Sequence, residues 1–373
     1  MKRPSGRCSG NTAHPAPERE ERDKERNVGP SRESVKPLGA HTTLGHLHEL
    51  GKWKDIPYLN ENDGMLPPFM IAVGSRVRVA RAPAVLRLKD AHFIDEEARA
   101  KLGLGSYGRV SIVVGRMERG KFSVPVAVVE TQMGCPATQI NLREALYFSR
   151  HDGYSMEGRT LKSDGIYVIR AGTCAGVNSH ARSELRIGIG DVLISTENYG
   201  SIGALIQSNL HQLNFTGVNV SEKVDSISSL IKELGSLRLS EDRMNLATSS
   251  SRRLVLQLQG SADRLGVRNF VGPNFTKDSL YAEIGEDGFA ALRDNYGVIS
   301  TEMEAPVLDV LAGEFRKAGI PVHSALISAA VGAIPGKSFP ETREDQRAAA
   351  SAEINAVRIA GDALCTIARS LNR

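Results

Sequence analysis

The chain has 373 residues, 41% of them hydrophobic and 24% charged, a composition ordinary for a globular protein and a length sufficient for one large α/β domain or two smaller ones. Of the formal net charge of +4, residues 1–40 supply +3 through nine Lys/Arg against six Asp/Glu, so the rest is nearly neutral, which argues against a basic groove for nucleic acid. No run of eighteen apolar residues occurs, which argues against a membrane-spanning helix, and the four cysteines (Cys8, Cys135, Cys174, Cys365) form no CxxC pair, so neither a metal site nor a disulfide framework is expected and a reducing, cytoplasmic location fits best.

Residues 1–40 are polar, charged and poor in aromatics. They cannot bury enough apolar surface to offset their ordering entropy and are expected to be disordered. They lack the apolar core of a secretory signal and are too acidic for a mitochondrial presequence. Residues 41–68 mix polar and apolar side chains and are expected to pack onto the domain that follows, residues 69–373.

From Phe69 onward short apolar runs recur, at 69–73, 110–114, 124–129, 165–169, 191–194, 254–258 and 323–328. Most are rich in β-branched residues, the pattern of strands buried on both faces. Helical stretches lie between several of them. One begins at 141–148. Another spans 221–237, with Val224, Ile227, Ile231 and Leu234 on one face. The last carries Ile354, Val357, Leu364, Ile367 and Leu371 to the C-terminus. Strands alternating with helices predict an α/β fold: a single domain with a central mixed, largely parallel twisted sheet flanked by helices.

Four segments could carry chemistry. In Ile71-Ala72-Val73-Gly74-Ser75-Arg76-Val77-Arg78 a strand runs through a glycine into arginines at a helix start, where backbone N–H groups and a guanidinium fork suit an anion; a plain turn with surface arginines reads equally simply. Thr131-Gln132-Met133-Gly134-Cys135-Pro136 follows an apolar run and precedes a helix, either as a second anion-facing turn or as a structural loop. Ile169-Arg170-Ala171-Gly172-Thr173-Cys174-Ala175-Gly176 places an arginine where a buried strand is expected to end, the position at which ligands of open α/β sheets bind. Ser300-Thr301-Glu302-Met303-Glu304-Ala305-Pro306 sets two carboxylates before a helix over 307–316. One of them could accept hydrogen bonds from a vicinal diol, or both could simply favour the helix N-terminus.

Taken in order, and with Gly190-Asp191-Val192-Leu193 between them, these segments resemble the nucleoside phosphorylase superfamily over roughly residues 69–371, nearest in pattern to uridine phosphorylases. The resemblance implies phosphorolysis of a ribonucleoside to free base and ribose 1-phosphate, with inorganic phosphate as co-substrate and no other cofactor. It implies that Gly74, Arg78, Arg170 and Thr173 hold phosphate, and that Glu302, Met303 and Glu304 hold the ribose. Arg78, Arg170 and Glu304 would be the catalytic residues. A further phosphate arginine enters from a neighbouring subunit in this family; Arg109 is the candidate here and Arg116 the reserve. A histidine from the neighbour, His41, His46 or His48, would reach the ribose. A homodimer or larger homo-oligomer follows.

The base site departs from the family pattern. The segment 276–286 resembles the base-binding loop, which makes Leu280, Tyr281, Ile284 and Glu286 the base-binding candidates. Ile284 and Glu286 stand where uridine phosphorylases carry Gln and Arg, and neither can read a uracil edge in that way. The aspartate of purine phosphorylases is missing too, since residues 319–342 contain neither Asp nor Arg. Three readings therefore remain open: a phosphorylase with uridine-like preference, a purine phosphorylase or nucleosidase of the same fold, and a nucleoside-binding homologue without turnover.

Overall fold

The computed structural model describes residues 57–95, 97, 111–179, 186–200, 248–277 and 285–373, all within one unit, Pro37–Arg373. The helix expected over 221–237, the segment 1–40 and most of 41–68 lie outside the described residues. The elements, in chain order, are α1 (Pro57–Glu61), β1 (Phe69–Val73), α2 (Arg76–Leu86), β2 (Lys89–Ile94), β3 (Ile112–Arg119), β4 (Phe122–Glu130), α3 (Cys135–Tyr147), β5 (Tyr154–Met156), β6 (Arg159–Leu161), β7 (Ile166–Val177), β8 (Val192–Gly200), β9 (Thr248–Ser249), α4 (Arg252–Arg264), β10 (Asn269–Thr276), α5 (Gly285–Tyr296), β11 (Ser300–Glu302), α6 (Ala305–Lys317), β12 (Val322–Ile334) and α7 (Arg343–Leu371).

One mixed sheet runs in the order β11-β10-β8-β12-β7-β1-β4-β3-β2, and β11 also pairs with β7. The second pairing closes β7, β12, β8, β10 and β11 into a ring, from which β1, β4, β3 and β2 extend as an open wing. The long central ladders, β12 on β7 and β1 on both β7 and β4, are parallel; β3 on β4 and β12 on β8 are antiparallel.

The apolar runs make strands because both sheet faces are covered. Alternate β1 side chains feed opposite cores. Phe69, Ile71 and Val73 join the layer under α4 and α7, while Met70 and Ala72 join the layer under α3 and α6. All five are fully buried, so no polar alternation marks the strand. The long C-terminal helix α7 opens with a capping box, Thr342 with Asp345, and packs a stripe that includes Ala352, Ala356, Ala360 and Ala363 against the sheet.

Three expected boundaries differ. The run 254–258 is helical: Leu254, Leu258 and Ala262 are buried one turn apart while Leu256 is 55% exposed, a period of 3.6 that a five-residue window does not reveal. The stretch 141–148 is the end of α3, which starts at Cys135 with Pro136 in its first turn. The strand carrying Arg170 does not stop there; β7 continues to Val177, because the small residues 171–176 let both β12 and β11 pair with it.

Candidate active site

Ser75 caps α2 by accepting from the Arg78 N–H, which starts the helix directly after β1 and puts Gly74 at the end of that strand. Val73 is in register with Glu130 of β4 and with Ala171 of β7. The Arg78 helix, the Thr131–Gln132 turn and Arg170 therefore converge on one end of three adjacent parallel strands. Gly74 sits between the two arginines: a Cβ there would lie 3.5 Å from Arg78 Nη1 and 3.7 Å from Arg170 Nη2.

The same end opens into a cavity of about 600 Å³. Gly74, Arg78, Arg170, Thr173, Glu302, Met303 and Glu304, named from the sequence, all line it, as does Glu286. Arg109, Leu280, Tyr281 and Ile284, with His41, His46 and His48, lie outside the described residues. Arg116 does not line the cavity; its guanidinium pairs with Asp90 and, at 2.7 Å, with Glu157.

Arg170 is 3% exposed. Its Nη2 pairs with Glu304 Oε2 at 2.6 Å, while Nε and Nη1 are buried without a hydrogen-bond partner among the described residues. A buried cation with idle donors is costly unless an anion completes it, and Arg170 lines the cavity. Arg78 is held from behind. Its Nε donates to Glu353 Oε2 at 3.1 Å and its Nη2 lies 3.1 Å from Glu353 Oε1, a bidentate fork that leaves Nη1 beside Gly74.

Glu304 is the N-cap residue of α6. Its second oxygen accepts the Gly134 N–H at 2.7 Å, at the start of α3. Gln132 and Gly134 reach this geometry through left-handed backbone, with φ of 62° and 84°. Cys135 donates to the Met303 carbonyl at 3.1 Å, so the 131–135 turn and the 302–305 turn are clamped together.

Glu302 has a different environment. Oε1 accepts from Asn274 Nδ2 at 2.9 Å and from the Thr276 hydroxyl; Oε2 accepts the N–H groups of Glu304 at 2.8 Å and Ala305 at 3.0 Å. All these donors are protein groups, so Glu302 shapes the turn that presents Glu304. Burial first, and the neighbouring Glu304 carboxylate second, push the Glu302 carboxyl up to about 7. The Cys174 thiol, buried and near Glu302, is pushed well above its ordinary range, which keeps it protonated and poorly nucleophilic.

The cavity wall also includes the apolar Phe289, Val331, Ile334 and the 59%-exposed Phe339, together with Lys277 and Glu286. The Lys277 ammonium stands 5.8 Å from the Phe289 ring centroid. Lys277, Phe289, Phe339 and Glu353 carry no signal of these roles in the sequence. Phe339 follows an irregular Gly-Lys-Ser stretch, and Glu353 is one polar residue on a long helix; neither carries a periodic signal. Among the described residues no group of three or more His, Cys, Asp or Glu could hold a metal ion, and no helix is long and apolar enough to cross a membrane.

A profile of the phosphorylase superfamily matches residues 69–364 of the sequence. Among solved structures the fold is similar to uridine phosphorylase from Vibrio fischeri ES114 complexed with 6-hydroxy-1-naphthoic acid, at TM-score 0.52 and 16% identity over 81% of this chain and 92% of that one. It is also similar to purine nucleoside phosphorylase from Toxoplasma gondii in complex with immucillin-H, at TM-score 0.50 and 18% identity over 82% and 93%. No curated protein matches the sequence.

Proposed function

Since the chain belongs to the phosphorylase superfamily, we propose that it cleaves a ribonucleoside, with uridine-like preference, using phosphate to give free base and ribose 1-phosphate. The observation that carries this reading is the buried Arg170, which keeps two donors idle, brings its Nη2 beside Gly74 and Arg78, and has Glu304 on its flank. A hydrolase using water has no need of two converging guanidiniums, which favours phosphorolysis over nucleosidase activity.

In this reading phosphate enters between Arg78 and Arg170, and the Thr173 hydroxyl adds a donor. Glu304 accepts the ribose 2′- and 3′-hydroxyls, and Met303 packs on the sugar. The C–N bond loosens toward an oxocarbenium-like state, which the phosphate dianion beneath C1′ stabilises and then attacks. The base leaves with the bonding pair and takes up a proton. Positioning and preorganised charge supply the rate, without a covalent protein intermediate.

The base is bound between the apolar wall and the Lys277–Glu286 side, with Leu280, Tyr281 and Ile284 as further candidates. Assembly into a homodimer or larger ring is part of the proposal. Met133, 68% exposed, and Phe339 both line the cavity, as apolar side chains that a second copy would cover. Phosphate-dependent release of uracil from uridine by the purified protein tests the activity; release at the same rate without phosphate would sink it.

A further inference from the structure

We propose that Asp309, which does not line the cavity, is a positioning residue for Glu304, acting through a one-directional chain of buried hydrogen bonds that runs Asp309–Asn198–Asn274–Glu302. The inference rests on the reading of Glu304 as the ribose carboxylate.

Asp309 lies on α6 and is 5% exposed. Three donors from three strands converge on it: Ser324 Oγ of β12 at 2.8 Å, Thr248 Oγ1 of β9 at 2.8 Å and Asn198 Nδ2 of β8 at 2.7 Å. Three converging donors are the surroundings of a carboxylate acting only as acceptor. That fixes the Asn198 amide. Its NH2 must face Asp309, so its Oδ1 faces the other way, where it accepts from Ser195 Oγ at 2.6 Å and lies 3.4 Å from Asn274 Nδ2.

Asn274 is fully buried on β10. Its Oδ1 is taken by Ser300 Oγ at 2.9 Å; its NH2 donates to Glu302 Oε1 at 2.9 Å and to Thr276 Oγ1 at 3.1 Å and lies 3.4 Å from Asn198 Oδ1. Glu302 in turn holds the N–H groups of Glu304 and Ala305, the turn from which Glu304 reaches Arg170 and Gly134. The chain begins on α6 and returns to its first turn, passing through β8 and β10 to β11 between. With Asp309 and Glu302 ionised, the two amides have one orientation that satisfies both carboxylates, and Asp309 supplies the acceptor that sets it. A fully satisfied buried network of this kind rigidifies what it touches.

An exchange of partners tests this. D309N puts a second amide opposite Asn198 and removes the reason for its orientation. The double variant D309N/N198D swaps the two groups: the amide now at position 309 donates, and the carboxylate now at position 198 accepts from it, from Ser195 and from Asn274. In full-length D309N, kcat/KM for uridine should fall about tenfold with KM for phosphate within about twofold of wild type. Backbone hydrogen exchange in the peptide 300–306 should quicken. The swap should bring both readouts back to within about threefold of wild type. A folded D309N with native kinetics and native exchange overturns the proposal, and so does a swap as impaired as the single variant. If D309N shows no melting transition, N198A decides, because it cuts the chain between Asp309 and Asn274 without removing a contact of Glu302; native kinetics and exchange in N198A overturn the proposal, and the same losses support it. Should the wild type fail to phosphorolyse any nucleoside, the functional reading falls, while the exchange measurement alone still supports or overturns the network.

Discussion

Arg170 and Glu304 form an ion pair of 2.6 Å between side chains only 3% and 7% exposed, joining the proposed phosphate arginine to the proposed ribose carboxylate. Each partner is thereby placed before any ligand arrives, and each loses its placement when the other is removed. R170A should lower kcat/KM for phosphate roughly ten- to a hundredfold, the worth of a charge-assisted contact of about 1.5–3 kcal/mol. E304A should act first on the nucleoside. The pair should be strongly non-additive, with the double variant little worse than the poorer single. Steady-state kinetics of the three variants measure this, and independent, multiplying losses would separate the two residues.

Glu353 should matter to phosphate although it lies outside the cavity. It holds Arg78 by two contacts but is 29% exposed, so its effect is modest. E353A is expected to raise KM for phosphate by about three- to tenfold, on the order of 1 kcal/mol, with little change in KM for uridine. An equal change in both would show that Glu353 supports the fold in general.

The raised Glu302 carboxyl gives stability and activity opposite pH trends. Its ordinary value is 4.5 and its folded value about 7, so the native state holds a proton that the unfolded chain has lost between those limits. The stability from that proton is complete below about pH 4.5 and is lost as pH rises through about 7. Activity should run the other way. Only the ionised carboxylate accepts all its donors without conflict, so kcat/KM for the nucleoside should rise through about pH 7, as a property of the coupled Glu302–Glu304 pair. E302Q should remove the part of this limb that the ionisation of phosphate to its dianion does not supply, and flatten part of the stability decline. A wild-type rate profile flat from about pH 6 to 8 would contradict the assignment.

Base selectivity should be weak. Apolar walls such as Phe289, Val331 and Ile334 discriminate between bases by only about 1–3 kcal/mol, whereas a pocket of buried polar groups rejects a mismatch far more strongly. Relative rates on uridine, thymidine, cytidine, inosine and adenosine should therefore fall within roughly two hundredfold for those accepted. A preference for uridine of several thousandfold would mean that Lys277, Glu286 or another polar side chain reads the base edge.

Assembly has its own check. Light scattering at micromolar protein should report a dimer or larger species, and a monomer under assay conditions would remove Arg109 as a residue shared between subunits.

The parts legible in the sequence are those where one residue type answers one local demand. Gly74 before Arg78, Arg170 within an apolar run, and Glu302-Met303-Glu304 before a helix were visible because a buried strand has no use for a charge unless a ligand or partner waits for it. What was not legible depends on closure in space. The pairing of β11 with β7 brings Thr301 opposite Ala175, a meeting of distant segments that no spacing encodes. Asn198, Asn274 and Asp309 look like ordinary polar residues until the ring of strands buries them together. The two glutamates carry no local difference in sequence, and only the resemblance singles out Glu304; the structure adds that Glu302 takes its four donors from β10 and its own turn, while Glu304 pairs with Arg170 and the Gly134 N–H.

The most direct measurement is product identity. The purified protein is incubated with uridine in the presence and absence of inorganic phosphate, and the sugar product is identified and quantified against the free base. The account predicts base release that requires phosphate, with ribose 1-phosphate formed in equal amount. Free ribose formed independently of phosphate would make the protein a nucleosidase, and nucleoside binding with no product from any of the five nucleosides would make it a binding protein; either result contradicts the account.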